Sequence, residues 1–434
     1  MPISQDFAQR LYLVLPQIAK AFGTPFHIYD EVGILKEGRR LNELFSGVAE
    51  FREYFAVKAL PNLRILDLLQ RELGFGFDCS SIPELQMVRR LGASGSDIFF
   101  SSNNTSQEEY AEADKHGGVI LNLDDLSFVE KVPVMPELVC FRYNPGTTGI
   151  GNAVIGSPIE AKFGLRTDQI KAAYEQARER GAKRFGLHTM LVTNEKRWQN
   201  IRDTIAMLLE LCSSLDNEIG IRFEFVNMGG GIGIPYRPDE QHVDLDALAR
   251  AASDLFARFR ATQGYAPKLY MECGRLITGP HGVLVTRVIN IMSKYRDFVG
   301  VDASMPALMR TGMYQHAYNH VTALTADGEQ KEGMPSIVDV VGSLCENNDK
   351  FAKRVELPDV REGEFLIFHD TGAHGHAMGF QYNGRLRPKE LLLSQTGDVE
   401  LIRRAETTED YLRTQVDISA GRLRLDRNQP AASH

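Results

Sequence analysis

The sequence predicts an α/β protein in which a (β/α)8 barrel of the TIM type is followed by a second, mostly β C-terminal domain. Three observations predict it. From Tyr54 to about Arg275, apolar strand-like runs alternate with segments of helical periodicity about eight times, the number that closes a parallel barrel. No strand is followed by a G-x-G-x-x-G fingerprint opening a helix, which argues against an open dinucleotide-binding sheet. After about Val283 the helix patterns thin out and strand-like segments dominate.

In chain order, Met1 to about Phe22 carries Phe7, Leu11, Val14, Leu15 and Ile18 at helical spacing. Gly23-Thr24-Pro25 ends that helix, and FHIYD follows as a strand. The alternation then pairs YFAVKAL with NLRILDLLQREL, GFDCSS with IPELQMVRRL, IFFSS with TSQEEYAEADKH, and VILNLD with a short DLSFVEKV. ELVCFRYN leads through a long loop to DQIKAAYEQARER, RFGLHTML to QNIRDTIAMLLELCSSL, and FEFVNMGGG to DALARAASDLFARFRATQ, before LYMECGR closes the series. Beyond it GVLVTRVINIM, DFVGVDAS, HVTALTAD, SIVDVVGSL, EFLIFHDTG and VELIRRAE have strand character. The expected division is an N-terminal helix (1–24) near the second domain, a barrel (25–283), a β-rich domain (284–424) that draws in FHIYD or the N-terminal segment, and a frayed polar tail (425–434).

Size and composition bound the function. A chain of 434 residues is long for one core, so two domains are expected. A net charge of -8 gives no footprint for nucleic acid or an anionic membrane, and no apolar run approaches the roughly 18 residues of a membrane span. The five cysteines are scattered without CxxC spacing, which predicts neither a disulfide framework nor a metal site. With an opening segment that lacks the order of a secretory signal, this points to a reducing cytoplasm.

The chemistry centres on YFAVKALPN. An ammonium in a strand buried on both faces needs a partner or a covalent fate. A desolvated lysine forms Schiff bases with carbonyl compounds; the alternative is a lysine at a strand end with its head group in water. A β/α barrel works at the C-terminal ends of its strands, often holding a phosphate after strands seven and eight. Lys58 ends the first strand, Gly229-Gly230-Gly231 follows the seventh and Glu272 ends the eighth. Three glycines let backbone N–H groups close on a phosphate, where the alternative is a plain turn. Glu272 either pairs with Arg275 or Arg222 or faces a pyridinium nitrogen.

With YFAVKALPN, FDCSSIPEL, RYNPG, KFGL, GGGIG, ECGR, DASMPALMRTGMY, SLCENND and HDTGAHGHAMGFQYNGR in that order, residues from about Pro25 to Leu393 resemble a known family. It is that of the fold type III pyridoxal-phosphate decarboxylases with an alanine-racemase-type barrel, most closely the diaminopimelate decarboxylases. The resemblance implies that Lys58 carries pyridoxal 5'-phosphate covalently with Asp78 near it, and that Gly229, Gly230, Gly231 and Thr193 hold the phosphate. Glu272 would face the pyridine nitrogen. Arg275, also beside the cofactor, would join Arg310 and Tyr314 in gripping the far carboxylate of diaminopimelate, while Glu346 meets its amine. Cys345 resembles the catalytic residue that a partner subunit places in the active site, and Tyr382 the family tyrosine near the cofactor. Members are typically homodimers with shared sites, and no metal is implied.

The sequence departs from that family in several places. The usual His-x-His-x-Gly-Ser is here His188-Thr189-Met190-Leu191-Val192-Thr193, so His188 and Met190 should face the cofactor together, Met190 in the stacking place. A thioether packs on a ring but donates no hydrogen bond. His374 replaces the tyrosine that reaches the cofactor phosphate. ECGR, CENND and KALPN stand for Glu-Pro-Gly-Arg, Cys-Glu-Ser-Gly-Asp and Lys-Ala-Asn. The expected function is decarboxylation of meso-diaminopimelate to L-lysine, a step of lysine biosynthesis. The alternatives are another diamino or amino-dicarboxylic acid in a specialised pathway, an amino-acid racemase on the same fold, and a cofactor-binding protein without turnover. A racemase needs a second base facing Lys58, and CENND argues for the decarboxylase arrangement.

Overall fold

The computed structural model describes residues 3–146, 158–314 and 316–416. Helix α1 (Gln5–Phe22) starts at Ser4, whose hydroxyl accepts from the Phe7 N–H at 3.1 Å. Its buried face, with Phe7, Leu11, Leu15 and Ile18, packs on strand β1 (Phe26–Asp30) and the sheet to which β1 belongs. Helix α2 (Glu31–Phe45) has no counterpart among the expected elements. Gly33 and Gly38 interrupt its propensity and are there for close approach: a Cβ on Gly38 would fall 2.3 Å from the Leu73 side chain.

The alternation then runs β2 (Phe51–Ala56), α3 (Leu63–Leu73), β3 (Gly76–Cys79), α4 (Ile82–Arg89), β4 (Gly95–Phe100), α5 (Gln107–Ala113), β5 (Val119–Leu123) and α6 (Phe128–Lys131). It continues with β6 (Leu138–Tyr143), α7 (Thr167–Glu179), β7 (Arg184–Thr189), α8 (Trp198–Ile219), β8 (Phe223–Asn227), α9 (Leu245–Gln263), β9 (Lys268–Met271) and α10 (Gly274–Thr278). Strands β2 to β9 form a closed parallel barrel, sealed where Phe51 of β2 pairs with Leu269 of β9. Tyr54, Phe99, Phe225 and Tyr270 interlock inside its lower half. Gly186 and Gly76 make room for them, since a Cβ there would lie 1.9 Å from the Phe225 ring or 2.5 Å from that of Tyr54. The chemistry is thereby confined to the C-terminal ends of the strands.

The second domain comprises β10 (Gly282–Ser293), β11 (Asp297–Val301), α11 (Arg310–Met313), β12 (Val321–Leu324), β13 (Pro335–Val341), β14 (Lys350–Pro358), β15 (Phe365–Phe368), β16 (Lys389–Leu393), β17 (Val399–Arg403) and α12 (Thr408–Leu412). Its sheet runs β14-β13-β11-β10-β1-β16-β17, with β15 pairing β10 and β12. Strand β1 lies between β10 and β16 with all five residues buried, so the expected barrel boundary at residue 25 shifts to Asp30. The expected tail over 425–434 lies outside the described residues. No helix among the described residues is long and apolar enough to cross a membrane, and all five cysteines are free.

One buried carboxylate joins the two domains. Glu390 of β16 accepts from Tyr29 at 2.5 Å and from Asn62 at 2.9 Å, and it pairs with Arg403. Arg403 in turn donates to the Pro61 carbonyl, and Asn62 caps α3. Burial alone would raise the Glu390 carboxyl, but His376, Arg403, Tyr29 and Asn62 outweigh it and hold it at about 2. Glu390→Ala leaves Tyr29 and Asn62 buried without this acceptor and removes the partner of Arg403, and should destabilise the protein by roughly 3–5 kcal/mol in urea unfolding. The folded-state value is depressed, so the contribution is full above the ordinary 4.5 and is lost as pH falls towards about 2. The difference between wild type and variant should shrink across that window, and equal unfolding midpoints at neutral pH would refute the role.

Candidate active site

Lys58 does not lie within a strand. Strand β2 ends at Ala56, and Val57–Ala59 form a 3-10 turn that lifts the lysine to the barrel rim. Its side chain is 52% exposed and opens into a cavity of about 650 Å³. The expected buried strand lysine is thus corrected: the chain turns before it, and the ammonium meets the cavity. Asp78 of β3, buried beneath it, brings Oδ2 to 3.6 Å from Nζ, and neither Asp78 oxygen has a hydrogen-bond partner. Burial pushes the Asp78 carboxyl up and Glu272 adds to this, with Lys58 opposing.

Arg142, His188 and Asn227 occupy matching register positions on β6, β7 and β8. Arg142 Nε–H donates to His188 Nδ1 at 3.4 Å, and His188 Nε2 lies 3.2 Å from Glu272 Oε2. Guanidinium can only donate, so Nδ1 is the acceptor and the imidazole proton resides on Nε2, donated to Glu272. Asn227 donates to the other Glu272 oxygen at 2.8 Å, and Asp124 holds Arg142 at 3.0 Å. Burial would raise Glu272, but His188, Lys58 and Arg142 outweigh it and hold the carboxyl below the usual range. Arg275 and Arg222, considered as its partners, pair with Tyr236 and Asp216 instead. His188, expected against the cofactor, is fully buried inside the barrel on the face it shares with Gly186, beneath the cavity, where it bonds to Glu272; Met190 does line the cavity.

The glycine turn is conformationally obligatory. Gly229 and Gly231 have φ of +69° and +90°. A Cβ would fall 2.9 Å from Met190 Sδ at Gly229, 2.2 Å from the Glu272 carbonyl at Gly230 and 2.1 Å from the Val192 carbonyl at Gly231. Gly230, Gly231 and Thr193 line the cavity. Gly229 does not, and its N–H is taken by Asn227 at 2.9 Å, so its part is conformational. His374 lines the cavity, and its backbone N–H bonds to Ala59 at 2.8 Å. Burial, with Arg275, Lys58 and Arg310, holds its imidazole neutral.

Arg275, Arg310 and Tyr314 share that cavity. The Arg310 guanidinium lies 3.7 Å over the Tyr236 ring, while Arg275 bonds to the Tyr236 hydroxyl. Asp370, buried behind Arg310 with φ +56° and no hydrogen-bond partner, is pushed up by burial. Cys345, Glu346 and Tyr382 are not brought together with Lys58: all three are exposed and none lines the cavity. The Cys345 N–H is tied to Asn383 at 2.7 Å, and Glu346 caps the Asn348 N–H at 3.0 Å. Sequence reasoning missed Arg142, Asn227, Tyr236 and Asp370. An arginine and an asparagine inside otherwise apolar strands were the available signals for the first two; nothing local marks Asp370.

These residues fit a phosphorylated pyridine aldehyde. The open amine of Lys58 suits the aldehyde, an ionised Glu272 suits the ring nitrogen, and the turn that admits no Cβ at Gly230 and Gly231 suits the phosphate. Among the described residues no group of His, Cys, Asp and Glu could hold a metal ion. Gly230→Ala places a methyl against backbone and should weaken cofactor binding at least about tenfold in an absorbance titration. Gly397→Ala, with φ +89° but open space around it, serves as the control and should leave that affinity unchanged. Equal affinities for wild type and Gly230→Ala would remove the turn from the site.

The family model for the pyridoxal binding domain of pyridoxal-dependent decarboxylases matches residues 34–279. Protein TabA of Pseudomonas amygdali pv. tabaci is 48% identical, over 95% of this chain and 96% of its own. Diaminopimelate decarboxylase of Methanothermobacter thermautotrophicus is 33% identical, over 92% and 93%. The crystal structure of diaminopimelate decarboxylase from M. jannaschii in complex with L-lysine superposes with a TM-score of 0.84 at 29% identity, covering 93% of this chain and 94% of that one.

Proposed function

The chain belongs to the pyridoxal-dependent decarboxylases and is a pyridoxal-phosphate-dependent carboxy-lyase; on that premise we propose that meso-diaminopimelate is its substrate and L-lysine its product. The observation that carries this reading is the placing of Arg275 and Arg310 around one Tyr236 ring in the cavity that Lys58 enters. Two guanidiniums and the Tyr314 hydroxyl form a grip for a carboxylate remote from the reacting carbon.

Bound pyridoxal phosphate supplies the electron sink that accepts the pair left when carbon dioxide departs from Cα. Lys58 carries the cofactor, and Asp78 stabilises a proton on Nζ whenever that amine is free. Glu272, kept ionised by His188 and Asn227, holds a proton at the pyridine nitrogen. Gly230, Gly231 and Thr193 bind the phosphate, with neutral His374 as a further donor. Met190 shields one side of the cavity from water. Arg275, Arg310 and Tyr314 hold the far end of the substrate and so orient its α-carboxylate. A second copy of the chain completes the site with Cys345, Glu346 and Tyr382, which within one chain lie on the surface outside the cavity.

A second reading is another amino-dicarboxylic acid. It is favoured by the replaced cofactor contacts at Met190 and His374, which depart from the diaminopimelate decarboxylase pattern. Carbon dioxide release from meso-diaminopimelate, ornithine, lysine, arginine and glutamate separates the two. Lys58→Ala should abolish the near-visible absorbance of the loaded protein and its fixation by borohydride; persistent labelling would take that role from Lys58. Arg310→Ala should raise KM for a dicarboxylic substrate about tenfold or more, and for a simple diamine much less. An equal rise for both would sink the carboxylate grip.

A further inference from the structure

The turn that carries Glu272 differs from the family pattern in a way with a physical consequence. Cys273 stands where the pattern has proline, so the turn contains a backbone N–H that a proline would lack. Cys273 is 1% exposed, and a buried N–H without an acceptor costs free energy. Its acceptor is Glu53 Oε1. Glu53 is itself 1% exposed and lies on the opposite face of β2 from Tyr54 and Ala56, in the apolar layer between barrel and helices. Its other oxygen has no hydrogen-bond partner.

The turn has little room to move. A Cβ on Gly274 would lie 2.6 Å from the Ala59 side chain, next to Lys58, and one on Gly230 would lie 2.2 Å from the Glu272 carbonyl. The Glu272 N–H is tied to the Gly229 carbonyl at 3.0 Å and the Gly274 N–H to the Glu272 carbonyl at 3.1 Å. Any shift at Cys273 is therefore passed to Lys58 on one side and to the glycine turn on the other. We propose that Glu53 is a positioning residue for Glu272, acting as the buried acceptor that the N–H of Cys273 requires. The inference rests on the role given above to Glu272. Burial pushes the Glu53 carboxyl up to about 8, against the pull of the Cys273 N–H and with Glu272 and Asp78 adding to the rise. Its Oε1 accepts from the Cys273 N–H whether or not the carboxyl is protonated, so an amide oxygen can stand in for it.

The experiment is a set of four variants, each measured with and without cofactor. Glu53→Met keeps the volume in an apolar layer and removes the acceptor. It should speed hydrogen exchange at the Cys273 amide, weaken cofactor binding and lower kcat at least about tenfold, with KM changed less than about threefold. Glu53→Gln keeps the acceptor and should stay within about threefold of wild type in all of these, short of it only by the cost of burying its own amide N–H. Adding Cys273→Pro to Glu53→Met removes the orphaned N–H and should restore most of the cofactor affinity and kcat, which a general packing defect would not allow. Glu272→Ala shows separately whether Glu272 has its role: full turnover there would overturn that reading, whereas exchange at Cys273 tests the positioning alone. Should Glu53→Met fail to fold, Glu53→Gln paired with the double variant decides the matter. Wild-type exchange, affinity and kcat in Glu53→Met, or a double variant no better than the single one, would overturn the proposal.

Discussion

The structure depends on keeping a carboxylate ionised inside the wall of a barrel. Charge in such a place costs several kcal/mol unless it is matched and hydrogen-bonded. Glu272 is matched by a chain that begins outside it: Asp124 holds Arg142, Arg142 fixes the His188 tautomer, and His188 and Asn227 present one N–H to each carboxylate oxygen. Because Arg142, His188 and Asn227 come from one register row of adjacent strands, the donors are set by the ladder and not by loops. Across the cavity the ammonium of Lys58 faces Asp78, so the interior carries alternating charges from Asp124 to Asp78.

The second domain is what makes the Lys58 turn rigid. The His374 N–H bonds to the Ala59 carbonyl, Asn62 to Glu390 and Arg403 to the Pro61 carbonyl, so the segment after the lysine is held from the β sheet. Strand β1 precedes the barrel in sequence but lies inside that sheet, which threads the chain from one domain into the other and back. Barrel residues hold the other side of the same turn, with Gly274 against Ala59 and Asp78 beside Lys58. The bonds from the second domain fall on Ala59, Pro61 and Asn62 of KALPN, the stretch that differs from the usual Lys-Ala-Asn.

Much of this was legible because two-sided burial leaves a strong trace. The eight barrel strands show as short apolar runs, and Gly229 to Gly231 and Glu272 show as residue types with few other reasons to follow a strand. Helix α2 was hidden because Gly33 and Gly38 serve close contacts with other elements. Strand β14 was hidden because it lies at the end of the sheet with charged residues on its open face. The strand reading of Lys58 erred by one turn, since periodicity does not show where a 3-10 turn interrupts a run. The Asp124–Arg142–His188–Glu272 chain spans separate strands, and register across a barrel is not written in any local pattern.

The departures from the family pattern divide by location, and the division bears on what has changed. Met190 and His374 both lie at the cofactor end, where a polarizable thioether against the glycine turn and a neutral imidazole replace groups with other donor capacity. Elsewhere in the cavity Arg275, Arg310 and Tyr314 stand together, the two guanidiniums held by Tyr236 behind them. Thioether and neutral imidazole add no charge to the cavity, so its charged groups at this end are Lys58 and Glu272. Both domains contribute to both ends of the cavity: Met190 and Arg275 come from the barrel, His374 and Arg310 from the second domain. The cavity is therefore a joint product of the two domains, and a change in either reaches the groups around Lys58.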